Sequence, residues 1–353
     1  MRILLYGEFS GVHSSLKYGL ESLGHEVHLV TSGDGFKAFS GNVVLRARAG
    51  GAVARGTADF WNASKLMSLR DRYDVVQFVN PRPGVVTPRL GIEARIVQRM
   101  QALADRSFYY VCGCDSTTFA AFERKPAHFA SLCRGCLRDN GTKRCLHLVV
   151  PGYRASDARF VESVDGIIVS TSGAYRDQYV GHPRFLGEVG FPIRIPIEAD
   201  EIVRPPRSVL HGINRRFTKG SDVLLPVLQG LAGAGEIRLE QVSGLPFAEY
   251  IKRVRRNRFV VDQLYGDSLG MNALFAMANG ALAITRFEAE RFPGAPAIGL
   301  MEDPIQIRDV VREAAAMSDQ EFSRLQAMAL AYVREHHDST LVASRFVELW
   351  NSK

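Results

Sequence analysis

The stretch 259–285, FVVDQLYGDSLGMNALFAMANGALAIT, decides the fold class. It begins with the apolar run 259–262, passes through a glycine-bearing loop into the helical pattern 271–279, and ends in a second apolar run, 282–285. Two short apolar runs joined by a segment of helix length are typical of a parallel strand–helix–strand unit. The stretch therefore predicts an α/β chain.

The same alternation extends through the rest of the sequence. Further strands are predicted at 3–6, 27–31, 74–79, 108–112, 166–170, 208–210 and 237–242. Further helices are predicted at 14–23, 90–104, 221–231 and 246–256, and the last fifty or so residues are predicted to be helical, closing with 341–350. Strands that alternate with helices in this way indicate parallel sheets with crossover helices.

The length and one proline-rich stretch indicate the domain organisation. A chain of 353 residues is longer than one typical domain and suits two α/β domains. The stretch 190–206 holds four of the prolines and is interpreted as a linker. We expect a Rossmann-like domain over 1–190 with a cysteine-rich insertion at about 112–147, and a second over 191–335. Their parallel sheets would face each other across a cleft, and the terminal helix, 336–353, is expected to pack back toward the first domain.

Composition indicates a soluble protein. Hydrophobic residues at 46% and charged residues at 23% are ordinary for globular proteins. No apolar run reaches the roughly 18 residues that span a bilayer, and Met1 leads directly into the first predicted strand without a signal-peptide pattern. We therefore expect a cytoplasmic protein with at most peripheral membrane association.

The net charge of +7 favours anionic partners. Part of the excess lies in the run 252–258, KRVRRNR, which is more often a solvated helix face than a binding patch. No aromatic residue is interleaved in the run as a base-stacking surface requires, so nucleic acid is not an expected partner.

The first loop of interest is 7–13, GEFSGVH, between a predicted strand and a predicted helix. Ligands of open parallel sheets collect at the carboxyl ends of the strands, where helix N-termini favour anions. Gly7 and Gly11 bracket this turn and permit close approach of a ligand to the backbone. A tight turn without any ligand explains the same glycines.

A second loop, 210–222, places Arg215, Arg216 and Lys219 between a strand and a helix. A lysine can form an ion pair with a diphosphate, and an arginine can form a bidentate hydrogen bond with it. These side chains therefore form a candidate pyrophosphate clamp. The alternative is a basic helix entry capped by Ser221 or Asp222. Positive charge in a first turn opposes the helix dipole, which favours the presence of an anion.

Several short strings, taken together, resemble a known family. They are HGINR at 211–215, KG at 219–220, DQLY at 262–265, MNAL at 271–274 and AMANG at 276–280, with similar features in 4–35 and 336–338. The combination resembles retaining GT-B glycosyltransferases of the bacterial group 1 or family 4 type. The resemblance covers most of the chain except 113–165.

The resemblance implies the GT-B architecture and an activity. A sugar would move from a nucleotide-diphosphate donor to a hydroxyl of a glycan, lipid-linked or small-molecule acceptor, with retention and without a catalytic metal. The enzyme would be hexosyltransferase-like. Two alternatives stay open: a catalytically silent nucleotide-sugar-binding subunit, and a GT-B epimerase or phosphorylase.

The resemblance also implies roles for particular residues of the second half. Lys219, with Arg215 or Arg216, would neutralise the donor pyrophosphate as the leaving group gains charge. The segment Ser268, Leu269 and Gly270 would offer backbone N–H groups to the same phosphates.

In the first half, Gly11 and His13 would close the cleft. Asp115 is the acidic residue that would approach the reacting sugar.

One departure from the family pattern concerns two glutamates that the family usually carries in the third loop. Asp267 and Phe275 stand at those positions. A predicted ribose contact is therefore missing, and Glu288 or Glu290 from the next loop is a candidate replacement.

All five cysteines, at positions 112, 114, 133, 136 and 145, fall in one segment. In a cytosolic chain a Cys-x-x-Cys pair indicates metal or redox chemistry. Cys133, Cys136, Cys145 and His147 are four side chains of the types that bind structural zinc. The alternative is a set of free thiols packed as small hydrophobic groups.

Overall fold

The computed structural model describes residues 1–46, 50–81, 92–124, 151–196, 202–214, 216 and 219–353. They form two compact units. The first comprises the described residues of Met1–Glu123, Leu146–Pro192 and Ser339–Lys353, and the second comprises those of Ile193–Asp338. Each unit is a parallel sheet with helices, so the predicted α/β fold class is confirmed.

The first unit contains a sheet of seven strands. They are β1 Arg2–Tyr6, β2 Glu26–Thr31, β3 Val43–Val44, β4 Tyr73–Phe78, β5 Ala104–Val111, β6 Gly166–Val169 and β7 Phe185–Glu188. All neighbours pair in parallel, in the order β3-β2-β1-β4-β5-β6-β7. The chain order reverses at β1, next to β4, which is the switch point at which open α/β sheets bind ligands.

The helices of this unit lie between its strands in sequence. They are α1 Val12–Ser22, α2 Ala52–Met67, α3 Ile92–Ala102, α4 Ser116–Arg124, α5 Pro151–Ser163 and α6 Gly173–Arg176. The central strands are nearly continuous apolar runs, because a parallel sheet covered by helices on both faces is buried on both faces.

The second unit contains a sheet of five strands, in the order β12-β11-β10-β8-β9. They are β8 Ser208–Gly212, β9 Arg238–Val242, β10 Phe259–Val261, β11 Leu282–Thr285 and β12 Ile298–Gly299. The helices are α7 Ser221–Gly233, α8 Phe247–Arg255, α9 Met271–Ala278, α10 Pro304–Ala316 and α11 Asp319–His337. Since all neighbours are parallel, the loops after β8, β10 and β11 leave the sheet at the same edge.

The last helix, α12 Ser339–Asn351, belongs to the first unit and packs against α1. A Cβ built on Gly19 would lie 1.9 Å from the carbonyl oxygen of Ser339, so the two helices touch at this glycine. Trp350 is fully buried and donates through Nε1 to Oε1 of Gln77 at 3.3 Å. The chain terminus is therefore fixed by a buried hydrogen bond to β4.

The stretch 259–285 folds as predicted: β10, α9 and β11 each agree with their predicted bounds to within one residue. The short strands β3, β7 and β12 and the helices α2, α4, α5 and α6 were not predicted. Two-residue strands at a sheet edge carry too few residues for an alternating pattern to be read. Among the described helices, none is long and apolar enough to cross a membrane.

Candidate functional site

The loop after β10 is in close contact with the start of α7. The N–H of Leu264 donates to the carbonyl oxygen of Lys219 at 3.0 Å. Gly220 has φ 71°, and a Cβ built on it would lie 2.5 Å from Cβ of Leu264. Both the left-handed backbone and the lack of space require glycine at this position. The Lys-Gly pair at 219–220 therefore holds the lysine against the loop that follows β10.

The loops after β10 and β11 are joined by their backbones. Arg286 donates from its N–H to the carbonyl oxygen of Gln263 at 2.8 Å, and Glu288 donates in the same way to Asp267 at 3.1 Å. The side chain of Gln263 donates through Nε2 to the carbonyl oxygen of Ser268 at 3.1 Å. These bonds fix the path of residues 262–270 before α9 begins.

Lys219 and Asp262 form an ion pair at this edge of the sheet. The ammonium Nζ of Lys219 donates to Oδ1 of Asp262, and Nδ2 of Asn272 donates to the same oxygen at 2.7 Å. The Lys219 side chain is 18% exposed, whereas the Asp262 side chain is 1% exposed. The carboxylate is thus a buried anchor, and the lysine is the partner that remains open to solvent.

Helix α9 begins beside this pair, with Gly270 as its N-cap. Its first intrahelical bond runs from the N–H of Leu274 to the carbonyl oxygen of Gly270 at 3.1 Å. The N–H groups at 271–273 precede that bond and have no acceptor within the helix. Together with the helix dipole they give this end partial positive charge, which favours an anion near Lys219.

His211 connects β8, β10 and α7 in the interior of the second unit. Its Nδ1–H donates to the carbonyl oxygen of Val261 at 2.8 Å, so Nε2 is the acceptor for the Ser221 hydroxyl at 2.9 Å. Burial lowers the pKa of His211 to about 4. The ring is therefore neutral at pH 7 and holds the strand ends that carry the site.

Arg216 forms its ion pair at the entry to α7. The Nε of Arg216 lies 2.5 Å from Oδ1 of Asp222, and both side chains are exposed at the entry to α7. Arg215 lies outside the described residues. In the described part of the site, Lys219 is the predicted cation that contacts the loop after β10.

The remaining predicted donor-side residues lie on the loops already described. Ser268 and Leu269 are buried, Asp267 and Gly270 are half-buried, and Glu288 is exposed on the loop after β11. Phe275 is buried on α9, with its ring centroid 4.7 Å from that of Phe247. Position 275 thus faces the hydrophobic interior of the unit.

In the first unit, the loop after β1 is held by a buried carboxylate. Oε1 of Glu8 accepts from the N–H of Gly11 at 2.9 Å, and Oε2 accepts from the N–H and the hydroxyl of Ser14 at 2.7 and 2.6 Å. Burial raises the pKa of Glu8 to about 7, although the bonds from Ser14 and Gly11 oppose the shift. The start of α1 is occupied by the chain's own carboxylate.

His13 is fully buried and has partners on both ring nitrogens. Its Nδ1–H donates to the carbonyl oxygen of Gly7 at 2.8 Å, and its Nε2 accepts from Nε2 of Gln77 at 3.3 Å. Gln77 in turn accepts from Trp350. Burial lowers the pKa of His13 to about 3, so the ring is neutral. These bonds connect the loop 7–13 to β4 and α12.

Asp115 is buried at the start of α4. Its Oδ1 accepts from the N–H of Thr118 at 2.7 Å, as an N-cap does, and its Oδ2 accepts from the hydroxyls of Tyr109 and Tyr179 at 2.8 and 2.5 Å. Burial raises the pKa of Asp115, against the effect of these donors. The carboxyl group positions the loop after β5.

The proposed zinc ligands Cys133, Cys136, Cys145 and His147 lie outside the described residues. Where the structure does describe the chain, no group of three or more His, Cys, Asp or Glu side chains could hold a metal ion. Cys112 is a free thiol.

Sequence reasoning missed the structural partners Glu8, Asp262 and Asn272. Asp262 follows β10 directly and Glu8 follows β1 after one glycine, which is the position where side chains of parallel sheets face ligands. That placement was the available signal. Which neighbour each carboxylate meets depends on the packing of a distant loop or helix, which no local pattern contains.

No family model and no curated protein matches the chain. Solved structures do. Sucrose-phosphate synthase from Thermosynechococcus elongatus matches with a TM-score of 0.62 at 13% identity, over 100% of this chain and 98% of the other. A UDP-forming α,α-trehalose-phosphate synthase from Burkholderia xenovorans gives 0.58 at 11% identity, over 99% and 98%. An α-glucosyltransferase in complex with UDP-glucose and DNA gives 0.55 at 13% identity, over 99% of each chain.

These are enzymes of the GT-B class, and the chain has the GT-B fold. At such low identity the likeness establishes the fold alone. Function has to be argued from the site.

Proposed function

We propose that this protein is a glycosyltransferase that moves a sugar from a nucleotide-diphosphate donor to a hydroxyl of a glycan, lipid-linked or small-molecule acceptor. The observation that carries the proposal is Lys219 beside the N-terminus of α9, at the carboxyl edge of a Rossmann-like sheet in a GT-B fold. The α-glucosyltransferase with this fold is a complex with UDP-glucose, which supports a nucleotide-sugar as the donor.

The donor diphosphate would lie between Lys219 and the N-terminal N–H groups of α9. The ammonium is held by Asp262, whose second partner is Asn272. A diphosphate adds acceptor oxygens next to the same ammonium, so Lys219 can bind the phosphates while Asp262 keeps it in place. The Ser268–Gly270 segment would offer its backbone to the same phosphates.

In the reaction, the bond between the anomeric carbon and the phosphate oxygen breaks, and a bond from that carbon to the acceptor oxygen forms. The nucleoside diphosphate leaves with the bonding electron pair, and the acceptor proton passes to the released phosphate. Lys219 and the α9 N–H groups would stabilise the charge that develops on this leaving group. Retention at the anomeric carbon is part of the proposal and rests on the family resemblance.

The first unit would supply the acceptor side. Asp115 and His13 stay our candidates for contact with the reacting sugar, and Gly11 for close approach of the backbone. Each of the two side chains is buried with its polar atoms engaged, so contact with a sugar would require exchange of a bond, such as that from Tyr179 to Asp115. Their present role is to fix the loops after β1 and β5.

A second candidate, a catalytically silent nucleotide-sugar-binding subunit, is favoured by Phe275. Its side chain is buried against Phe247, so α9 offers no carboxylate there for a ribose. Glu288, exposed on the neighbouring loop and bonded through its backbone to Asp267, is the proposed replacement. Both candidates use the same donor site and differ in turnover.

Donor binding and donor hydrolysis test the proposal together. A panel of nucleotide-sugars is screened by thermal shift, since a ligand at 100 times its Kd stabilises a protein by about 2.7 kcal/mol. Slow hydrolysis of the best donor is then followed without acceptor. We expect Lys219→Ala to lower hydrolysis roughly 100-fold or more. Lys252→Ala, which removes an exposed lysine paired with Glu249 on α8, is the matched control and should have no effect.

The outcomes separate the two candidates. Binding with hydrolysis that depends on Lys219 supports the transferase. Binding without any turnover, across the panel and with added acceptors, supports the silent subunit. If no nucleotide-sugar stabilises the protein, both are wrong.

A further inference from the structure

Helix α2 exposes three large apolar side chains on one face. Val53 is 82% exposed, Phe60 78% and Met67 44%. They are spaced seven residues apart, which is close to two helical turns, so they form a stripe about 21 Å long. The opposite face packs on the core of the first unit through residues such as Asn62 and Leu66. We call Val53, Phe60 and Met67 the α2 stripe.

The side chains around the α2 stripe are small. Gly56, Thr57 and Ser64 are exposed on the same face of the helix. The three apolar groups therefore protrude beyond their surroundings. Single exposed apolar residues are common on protein surfaces, whereas an aligned set that the described residues leave uncovered marks an interaction site.

The segment around the stripe is strongly basic. The described residues of 41–70 contain Arg46, Arg55, Lys65 and Arg70 against the single acid Asp59. Four basic residues less one acidic residue give +3. An anionic partner is therefore favoured at this surface, and a second copy of the same segment is disfavoured by like-charge repulsion.

Trp61 lies next to the stripe, and two of these basic side chains lie over its ring. The guanidinium of Arg46 lies 4.5 Å from the centre of its ring, and the ammonium of Lys65 lies 4.8 Å from it. An amphipathic aromatic ring flanked by basic groups is typical of the boundary between lipid headgroups and acyl chains. Nucleic acid would use the charge but leave the apolar stripe without a partner.

We propose that the α2 face docks on the surface of an anionic phospholipid bilayer. The α2 stripe enters the acyl boundary, and the surrounding arginines and Lys65 meet the headgroups, as in helices that lie in the plane of a membrane. Because α2 already packs on the unit's core by its other face, docking needs no change of fold. The proposal goes beyond sugar transfer and does not depend on it.

Co-sedimentation of the full-length protein with vesicles tests this surface. Vesicles of phosphatidylcholine with about 30% phosphatidylglycerol are compared with phosphatidylcholine alone, at low and at about 0.5 M salt. We expect binding to the anionic vesicles that falls at high salt. Phe60→Asp combined with Val53→Asp should weaken it about tenfold or more, and Arg55→Glu should weaken it at low salt.

Ile305→Asp is the matched control, because Ile305 is also an exposed apolar residue, at 67%, but lies on α10 of the second unit. Far-UV circular dichroism and the unfolding midpoint show whether each variant is folded. The proposal is wrong if the wild type does not bind anionic vesicles, or if the double variant binds them as the wild type does. It is also wrong if the wild type forms a dimer that Phe60→Asp abolishes, since a second copy then covers the stripe.

Discussion

At the scale of single residues, the Lys219–Asp262 pair has a structural role beside the chemical role that we propose for Lys219. Asp262 is almost fully buried, so its charge is compensated by Lys219 and Asn272 rather than by water. Breaking a buried pair from one side is costly, because the remaining charge has no partner, typically by about 3–5 kcal/mol. A loss of activity on mutating Lys219 therefore needs to be separated from a loss of stability.

A double variant makes that separation. We expect Lys219→Ala to lower the free energy of unfolding of the second unit by about 3 kcal/mol, because Asp262 keeps its charge without the ammonium. Adding Asp262→Asn should restore most of that stability, since the buried group is then neutral. Donor hydrolysis should stay at the level of the single variant, because the leaving-group contact is absent from both.

Urea unfolding followed by far-UV circular dichroism, together with the hydrolysis assay, checks both results. Recovery of hydrolysis in the double variant would mean that Lys219 acts only through stability. An unchanged stability in the single variant would mean that Asp262 is not compensated by Lys219.

Sequence reasoning identified Lys219 as a candidate because a cation at a helix start opposes the helix dipole. The family resemblance implies that His13 closes the cleft, yet its ring is buried with Gly7 and Gln77 on its two nitrogens. Spacing along the chain places a histidine at a sheet edge but cannot tell the ligand side from the core side.

At the scale of secondary structure, the contact between α1 and α12 depends on one glycine. We expect Gly19→Ala to destabilise the first unit by about 1–3 kcal/mol, because the new methyl group meets the backbone of Ser339 and one helix has to move. Gly56→Ala, in the exposed face of α2 with no atom within 4 Å of the added carbon, should stabilise by about 0.5–1 kcal/mol.

Tryptophan fluorescence during urea unfolding measures both variants, because Trp61 and Trp350 belong to the first unit. If Gly19→Ala and Gly56→Ala have equal stability, the close approach of Gly19 to the backbone of Ser339 is contradicted.

Helix α2 shows why one element escaped prediction. Its apolar residues lie on two opposite faces, with Ala58 and Leu66 toward the core and the α2 stripe toward solvent. Gly56, Thr57, Asn62 and Ser64 within it have low helix propensity, which weakens the local signal for a helix. Elements with one apolar face, such as α1, or with a continuous apolar run, such as β10, were predicted correctly.

The cysteine segment gives a prediction that rests on sequence alone. If Cys133, Cys136, Cys145 and His147 bind zinc, protein purified without a histidine tag should contain one equivalent of the metal, since the four thiolate and imidazole groups complete a tetrahedral site. Elemental analysis measures the zinc, and thiol titration in the native state is the complementary assay. Zinc well below one equivalent, with five freely titrating thiols, contradicts the site.

At the scale of the whole molecule, the two units can be followed separately. Both tryptophans of the chain lie in the first unit, so their fluorescence reports that unit, while circular dichroism reports both.

The first unit also contains two buried groups whose pKa values are shifted in opposite senses, Glu8 upward and His13 downward. Their effects on stability oppose each other between pH 4.5 and 6.5.

The sign follows from which state holds the proton. Glu8 has a pKa of about 7 in the folded unit against an ordinary value of 4.5, so between these values the folded unit keeps a proton that the unfolded chain has released. Its contribution to stability is fully present below pH 4.5 and is lost as pH rises through 7. His13, with a pKa of about 3 against 6.5, contributes stability that is lost as pH falls from 6.5 to 3.

We therefore expect Glu8→Gln to remove one of the two opposing effects. Over pH 4.5 to 7 the wild type should lose about 3 kcal/mol of unfolding free energy relative to the variant, which corresponds to the 2.5-unit shift. His13 and Asp115 are present in both proteins, so their contributions cancel in this difference.

Urea unfolding followed by tryptophan fluorescence at pH 4.5, 5.5, 6.5 and 7.5 measures the difference in unfolding free energy. Glu348→Gln, which changes an exposed glutamate on α12 of the same unit, is the control and should give a flat difference. A flat difference for Glu8→Gln as well would show that Glu8 is ionised throughout and that the donors from Gly11 and Ser14 outweigh its burial.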